Sequence, residues 1–172
     1  MSLNIKDHIR DVQDFPKKGI VFKDITTLLG NKQAFQEVIN NFVERYRDKP
    51  IDKIVAADAR GFIIGSVLAY ELGAGFVPVR KKGKLPYRTI EASYELEYGS
   101  DTLHMHEDAI RENESVLIVD DLLATGGTAE AMCELVKQQK GKIIEIAFLI
   151  ELSFLNGRDK LKGYQMYSQI VY

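Results

Sequence analysis

The chain has 172 residues, 45% of them apolar, which is room for one domain with a real core but not comfortably for two. Its formal net charge of −2 gives no reason to expect nucleic acid or an anionic membrane as a partner. The single cysteine excludes an internal disulfide, and no apolar leader or membrane-length apolar run is visible, so a soluble cytoplasmic protein is expected.

Residues 3–14 place Ile5, Ile9 and Val12 at helical spacing among charged residues, which predicts a short amphipathic helix. Asp14-Phe-Pro-Lys-Lys-Gly19 reads as a loop, followed by the extended apolar Ile20-Val-Phe22 and the polar Lys23-Asp-Ile-Thr-Thr27. From Lys32 to Arg47 the apolar residues at 34, 35, 38, 39, 42, 43 and 46 describe a helix with one buried face, which Pro50 stops. Lys53-Ile-Val-Ala-Ala57 is a buried strand running into Asp58-Ala-Arg-Gly61 and an apolar helix from Phe62 to Leu72. Gly75-Phe-Val-Pro-Val79 is the next strand, and the cations Arg80, Lys81, Lys82 and Lys84 follow it. A charge run is usually a solvated face, but this one stands at the end of a parallel sheet where ligands bind.

Residues 89–98 alternate, Gly99-Ser-Asp-Thr102 breaks the pattern and Leu103-His-Met-His106 resumes it. That is a β-hairpin, expected to project from the sheet with no helix to bury it, and a candidate lid over residues 88–107. His104 and His106 share a face at a spacing that can hold zinc, with no third ligand in view. Glu91, Glu95 and Glu107 read as solvated.

Ser115 to Val119 is a strand buried on both faces, and Asp120 and Asp121 stand where it runs out. Ala124-Thr-Gly-Gly-Thr128 then opens a helix whose apolar positions include Ala129, Met132, Leu135 and Val136. Backbone N–H groups at such a helix start, edged by the Thr125 and Thr128 hydroxyls, form a cradle suited to a phosphate. A side chain at Gly126 or Gly127 is expected to keep the phosphate from the backbone. The neighbouring carboxylates would repel a purely anionic ligand and fit one with hydroxyls or a metal beside its phosphate, meaning a ribose phosphate. Neither a Gly-Lys-Ser/Thr loop nor a Gly-x-Gly-x-x-Gly fingerprint is present. Cys133, among apolar neighbours, reads as core. Residues 142–150 form another strand, 151–163 an irregular stretch or short helical turn, and 165–172 a final edge strand. With no repeat or linker, the fold expected is a single α/β domain, a parallel sheet flanked by helices.

Val119-Asp-Asp-Leu-Leu-Ala-Thr-Gly-Gly-Thr128 closely resembles the phosphoribosyl-diphosphate (PRPP) loop of type I phosphoribosyltransferases, in the form carried by those acting on adenine. Phe15-Pro-x-x-Gly-Ile-x-Phe-x-Asp-Ile25 and Leu96-Glu-Tyr-Gly99 are similar to two further motifs of that family, in the same order. The resemblance runs from Phe15 to the C-terminus. It implies a type I phosphoribosyltransferase-like sheet with a hairpin lid and a small N-terminal hood, residues 1–30, over the sheet's carboxyl end. It implies a homodimer that converts adenine and PRPP to AMP and diphosphate. Mg²⁺ would be required, held mainly by PRPP and diphosphate with Asp120 and Asp121 nearby.

The resemblance also distributes roles. Val21 and Phe22 would contact the base, and Lys23 stands where arginine is expected, losing the planar bidentate fork. Arg60 would bind diphosphate in a loop where Ala59 replaces an expected serine. Arg80 and Lys84 would reach the diphosphate, in dimers from the neighbouring subunit. Glu97, with Tyr98 beside it on the lid, would be catalytic and handle the proton of the base. Asp120 and Asp121 would hold the ribose hydroxyls, and Ala124, Thr125, Gly126, Gly127 and Thr128 the 5′-phosphate. Two alternatives stand: a transferase for another 6-substituted purine, and a PRPP- or purine-sensing regulator that does no chemistry. The complete lid motif and the lack of a basic helix weigh against the regulator.

Overall fold

The computed structural model describes residues 3–96 and 99–172. They fall into two compact units, Met1–Arg45 and Tyr46–Tyr172.

In the first unit a 3-10 turn over Ile5–His8 leads into β1 (Arg10–Gln13), which pairs antiparallel with β2 (Val21–Asp24). The helix expected over residues 3–14 is therefore not formed. Three apolar residues at helical spacing are a weak local preference, and the nearby extended segment offers a partner that overrides it. Val12 stands opposite Phe22, and two cross-strand ion pairs join Arg10 to Asp24 and Lys23 to Asp11. In the connecting loop Asp14 accepts the Gly19 N–H at 2.6 Å, and Phe15 meets Phe22 edge-on with ring centroids 5.2 Å apart. Asp24, two residues before α1 (Thr26–Leu29), then accepts the backbone N–H and hydroxyl of Thr26. Those bonds, with Arg10, lower its carboxyl pKa to about 2. The predicted helix follows as α2 (Lys32–Tyr46), burying Ala34, Val38, Phe42 and Tyr46 at every fourth position.

The second unit alternates strand and helix: β3 (Lys53–Ala57), α3 (Arg60–Leu72), β4 (Gly75–Lys81), then the hairpin β5 (Thr89–Glu95) and β6 (Ser100–His106). It continues with β7 (Ser115–Leu123), α4 (Gly127–Gln138), β8 (Lys142–Glu151) and β9 (Met166–Val171). The sheet order is β5-β6-β4-β3-β7-β8-β9, with β4, β3, β7, β8 and β9 parallel. Between β8 and β9 lie 3-10 turns over Ser153–Leu155 and Gly157–Leu161, where the sequence reads as irregular. Residues such as Val55, Ile118, Met132 and Phe148 fill the core. Cys133 lies among them as expected, its thiol pushed by burial up to about 12.

Two sequence expectations are corrected here. The hairpin does not project bare from the sheet. β4 continues past Val79 to Lys81, and β6 uses that edge to pair antiparallel, with Arg80 opposite His104. α4 packs over β5, and Gln138 Nε2 donates to the Glu91 carbonyl at 3.0 Å. The alternation that suggests one wet face therefore marks a core face carrying Ala92, Leu103 and Met105. Nor does β7 end at Val119. β8 reaches Glu151, and its extra length carries the ladder on, with Asp120 opposite Phe148 and Leu123 opposite Glu151.

Met105 is fully buried, which sets a test of the hairpin's place. Met105→Ala should lower unfolding stability by about 2–5 kcal/mol in a denaturant titration, the usual cost of emptying a core site. A hairpin standing off the sheet would lose no more than about 0.5 kcal/mol.

Candidate functional site

At the carboxyl end of the parallel strands, residues 57–61, 94–96 and 120–129 line a cleft of about 290 Å³. Its floor is the end of β7. Asp120 and Asp121 are 8% and 6% exposed, and the Asp121 N–H donates to Asp120 Oδ1 at 2.9 Å. Burial raises both carboxyl pKa values. Asp120 is raised well above the ordinary range, since the charge of Asp121 adds to the effect, while Arg60 opposes the rise at Asp121. Arg60 is the first residue of α3, and its Nε lies 3.0 Å from Asp121 Oδ2. The next residue must be small: a methyl group on Gly61 would come within 2.8 Å of Asp120 Oδ1.

The loop after β7 bends at Gly126, whose φ of +87° favours glycine, and α4 starts at Gly127. The expected reason for these glycines needs amending. A methyl on Gly126 would come to 2.5 Å from the Gly157 carbonyl oxygen, and one on Gly127 to 3.0 Å from the Tyr94 ring. Gly126 is pressed by backbone and Gly127 by an aromatic ring that itself lines the cleft, so packing alone demands small residues here. Ala124, Thr125 and Thr128 complete the lining of the loop, with Thr125 exposed at the rim.

The cations are placed differently from one another. Arg80 Nε reaches Asp58 Oδ2 at 3.0 Å, and its Nη1 donates to the Lys84 carbonyl at 3.1 Å. Asp58 lines the cleft, whereas neither Arg80 nor Lys84 is among the lining residues. Val21, Phe22 and Lys23 belong to the first unit, where Lys23 Nζ is 2.7 Å from Asp11. Glu97 and Tyr98 lie outside the described residues, although Glu95 and Leu96 just before them line the cleft. The two histidines have local partners: His104 Nδ1 bonds Thr89 Oγ1 at 3.0 Å, and His106 Nε2 accepts the Tyr87 N–H at 3.4 Å. Among the described residues no group of three or more His, Cys, Asp or Glu is placed to hold a metal ion.

Asp58, Gly61 and Tyr94 are cleft residues that sequence reasoning missed. Asp58 had a visible signal, since it follows β3 as Asp120 follows the apolar part of β7. Tyr94 had none, because only the packing of β5 against the start of α4 brings it to the loop. Its hydroxyl shares hydrogen bonds with Thr128 and Asp101, and burial raises its pKa. The assembled site sets two buried carboxylates and an arginine beside a glycine turn at a helix start, which suits a phosphate attached to a polyol.

Comparison with known proteins agrees with that chemistry. The family model described as a phosphoribosyl transferase domain matches residues 24–169. An adenine phosphoribosyltransferase of Thermotoga sp. (strain RQ2) is 56% identical over 170 residues, covering 99% of this chain and 100% of its own. The crystal structure of adenine phosphoribosyltransferase from Thermoanaerobacter pseudethanolicus superposes with a TM-score of 0.95, at 52% identity over 98% of each chain. That of the Saccharomyces cerevisiae enzyme, complexed with an imino-altritol bisphosphate and adenine, gives 0.90 at 42% identity over 95% of each chain. Matched along nearly all its length in sequence and in fold, the chain belongs to the phosphoribosyltransferase family, among the adenine phosphoribosyltransferases.

Proposed function

We infer that the protein transfers the 5-phosphoribosyl group from PRPP to adenine, giving AMP and diphosphate, as its relatives' names imply. The observation that carries this reading is the buried Asp120–Asp121 pair, held by Arg60 beside the 124–128 loop. It is supported by the yeast relative, whose structure holds a bisphosphate and adenine together.

Breaking the C1–O bond of PRPP develops positive charge on the ribose and negative charge on the leaving diphosphate. In this reading Asp120 and Asp121 hold the ribose hydroxyls and favour the developing cation, and residues 124–128 fix the 5′-phosphate. Arg60, with Arg80 and Lys84, neutralises the diphosphate. Val21 and Phe22 contact adenine, and Lys23 supports that arm with a less rigid grip than arginine would give. Glu97 takes up or relays the proton that N9 of the base must lose, on a lid formed by residues 88–107, with Tyr98 next to it in sequence. Mg²⁺ fits this donor set, since carboxylate and phosphate oxygens are the hard ligands it takes. Without a three-group cage among the described residues, it would ride mainly on the substrate's oxygens, near Asp120 and Asp121, and supply positive charge to the diphosphate. The whole chain serves as one catalytic domain, its first 30 residues given to base recognition. It works as a cytoplasmic homodimer in this reading, and no described helix is long and apolar enough to cross a membrane.

The test is incubation with PRPP, Mg²⁺ and each purine base separately. AMP and diphosphate should form with adenine. A nucleotide formed only from another purine would reassign the base, and binding without any nucleotide would favour a sensor.

The acidic pair should burden the fold it serves. Burial raises the pKa of Asp120 above its unfolded value, so its ionisation costs stability once pH exceeds the ordinary carboxylate range, and that cost vanishes in acid. Asp120→Asn should therefore raise Tm at pH 7 by on the order of a few degrees, with the gain shrinking toward acid pH, while PRPP turnover collapses. A variant that is less stable than wild type at pH 7 would contradict the buried-charge account.

Glu97→Gln keeps size and hydrogen bonding but cannot accept a proton. Single-turnover rates should fall about 10²–10⁴-fold with PRPP affinity nearly unchanged. A loss under about threefold would retire Glu97 as the proton acceptor.

A further inference from the structure

Behind the phosphate loop lies a group of side chains that the proposed chemistry does not use. Glu151, the last residue of β8, is 5% exposed. Its carboxylate takes three short hydrogen bonds: from Arg158 Nε to Oε1, from Arg158 Nη2 to Oε2 and from Ser168 Oγ of β9 to Oε2, each 2.7 Å. The fork-on-fork geometry is the strongest form an ion pair takes, and it fixes orientation as well as distance. The bonds from Arg158, with that from Ser168, hold the Glu151 carboxyl below its ordinary pKa, so it stays ionised across the neutral range.

The pair's position in the chain gives it a consequence. Arg158 sits in the 3-10 turn Gly157–Leu161, so the bond to Glu151 pins that turn to the end of the sheet. Leu161, fully buried in the core, anchors the other end of the turn. Gly157 stands directly behind the phosphate loop. The space for a Cβ on Gly126 is filled by the Gly157 carbonyl, and the space for one on Gly157 is filled by the Ala124 carbonyl. The Leu152 N–H also donates to the Leu123 carbonyl at 2.9 Å, joining the segment to the residue before the loop. Backbone thus meets backbone, with the Leu123 side chain packed beside the contact, and a shift of the turn must move the loop.

We propose that Glu151 and Arg158 are positioning residues for the phosphate loop: their ion pair, through Gly157, holds residues 124–126 in the shape that receives the 5′-phosphate. The inference rests on the reading of 124–128 as the phosphate cradle. It separates the two halves of the substrate. The diphosphate side of the cleft is built from Asp58, on the loop after β3, and Arg60, at the start of α3, which the Glu151–Arg158 pair does not touch. Losing the pair should weaken one half and spare the other, which general damage to the fold would not do.

The experiment measures binding of ribose 5-phosphate and of Mg²⁺-diphosphate separately by calorimetry, for the full chain and its variants. Arg158→Ala removes the fork, and Glu151→Gln keeps the shape and the Ser168 bond while removing the charge. Both should weaken ribose 5-phosphate by roughly tenfold or more, as misplacement of a binding group does, with diphosphate affinity changed less than about twofold. Arg158→Lys, which keeps charge but not the fork, should fall between. Should Arg158→Ala fail to fold, Glu151→Gln decides alone. Unchanged ribose 5-phosphate affinity, or equal weakening of both ligands, would overturn the proposal. Wild-type protein that binds PRPP but not ribose 5-phosphate would instead overturn the cradle reading beneath it, and the proposal with it.

Discussion

Two carboxylates buried side by side at the end of β7 are the constraint to which the rest of the cleft answers. Each is almost wholly removed from water, which raises the cost of ionising it, and the charge of Asp121 adds to that cost at Asp120. Such a pair is tolerable only with a cation and backbone donors close at hand. The fold supplies them locally: the Asp121 N–H to Asp120, and Arg60 to Asp121. Arg60 reaches that place because α3 starts immediately after the loop from β3, and β3 is the direct parallel neighbour of β7. Gly61 follows because no side chain fits between the helix start and Asp120. Adjacent strands, a short loop and a glycine are thus consequences of one electrostatic demand.

How much of this was legible in the sequence depended on where the deciding forces lie. β3, α3, β7 and α4 announce themselves because each buries apolar residues in its own period, and the acidic pair and glycine turn sit within one short stretch. Arg60 was found for the same reason. The errors arose where a distant partner decides. Residues 10–13 became a strand because residues 21–24 pair with them, and the ion pairs of Arg10 and Lys23 need that pairing to exist. The hairpin's inner face was readable as alternation, but not that α4 would cover it, since the covering helix starts well after the hairpin ends. The packing reason for the loop's glycines was not legible, because their closest neighbours, Tyr94 and Gly157, are remote in sequence.

The hairpin is also bound into the site more tightly than a free lid would be. Lys81 of β4 holds Asp101 of β6 at 2.7 Å, Asp101 accepts from the Tyr94 hydroxyl at 3.3 Å, and Tyr94 reaches Thr128 at the start of α4. Each member supports the next. Lys81 holds Asp101 ionised below its ordinary pKa, and burial of Tyr94 keeps its hydroxyl protonated as a donor. The turn end of the hairpin is therefore fixed to the start of α4 through side chains on four elements, β4, β5, β6 and α4.

The two walls of the cleft are stiffened by different means, and the difference suits the two charges that the proposed reading assigns to them. On the side that the proposed reading gives to diphosphate, side-chain ion pairs do the holding: Arg60 lies on Asp121, and Arg80, from outside the lining, holds the cleft residue Asp58. Those arginines are already paired, so an anion arriving there competes for a guanidinium rather than meeting a bare one, and its binding must redistribute the pairs. On the phosphate side, backbone is held against backbone, Gly126 against Gly157 and Gly157 against Ala124, with an ion pair only in the layer behind. A wall made of main chain has few rotamers to lose, so a phosphate can be received there with little reordering. A group that stays attached throughout a transfer is best met by the rigid wall, and a group that departs by the wall whose charges can rearrange as it goes.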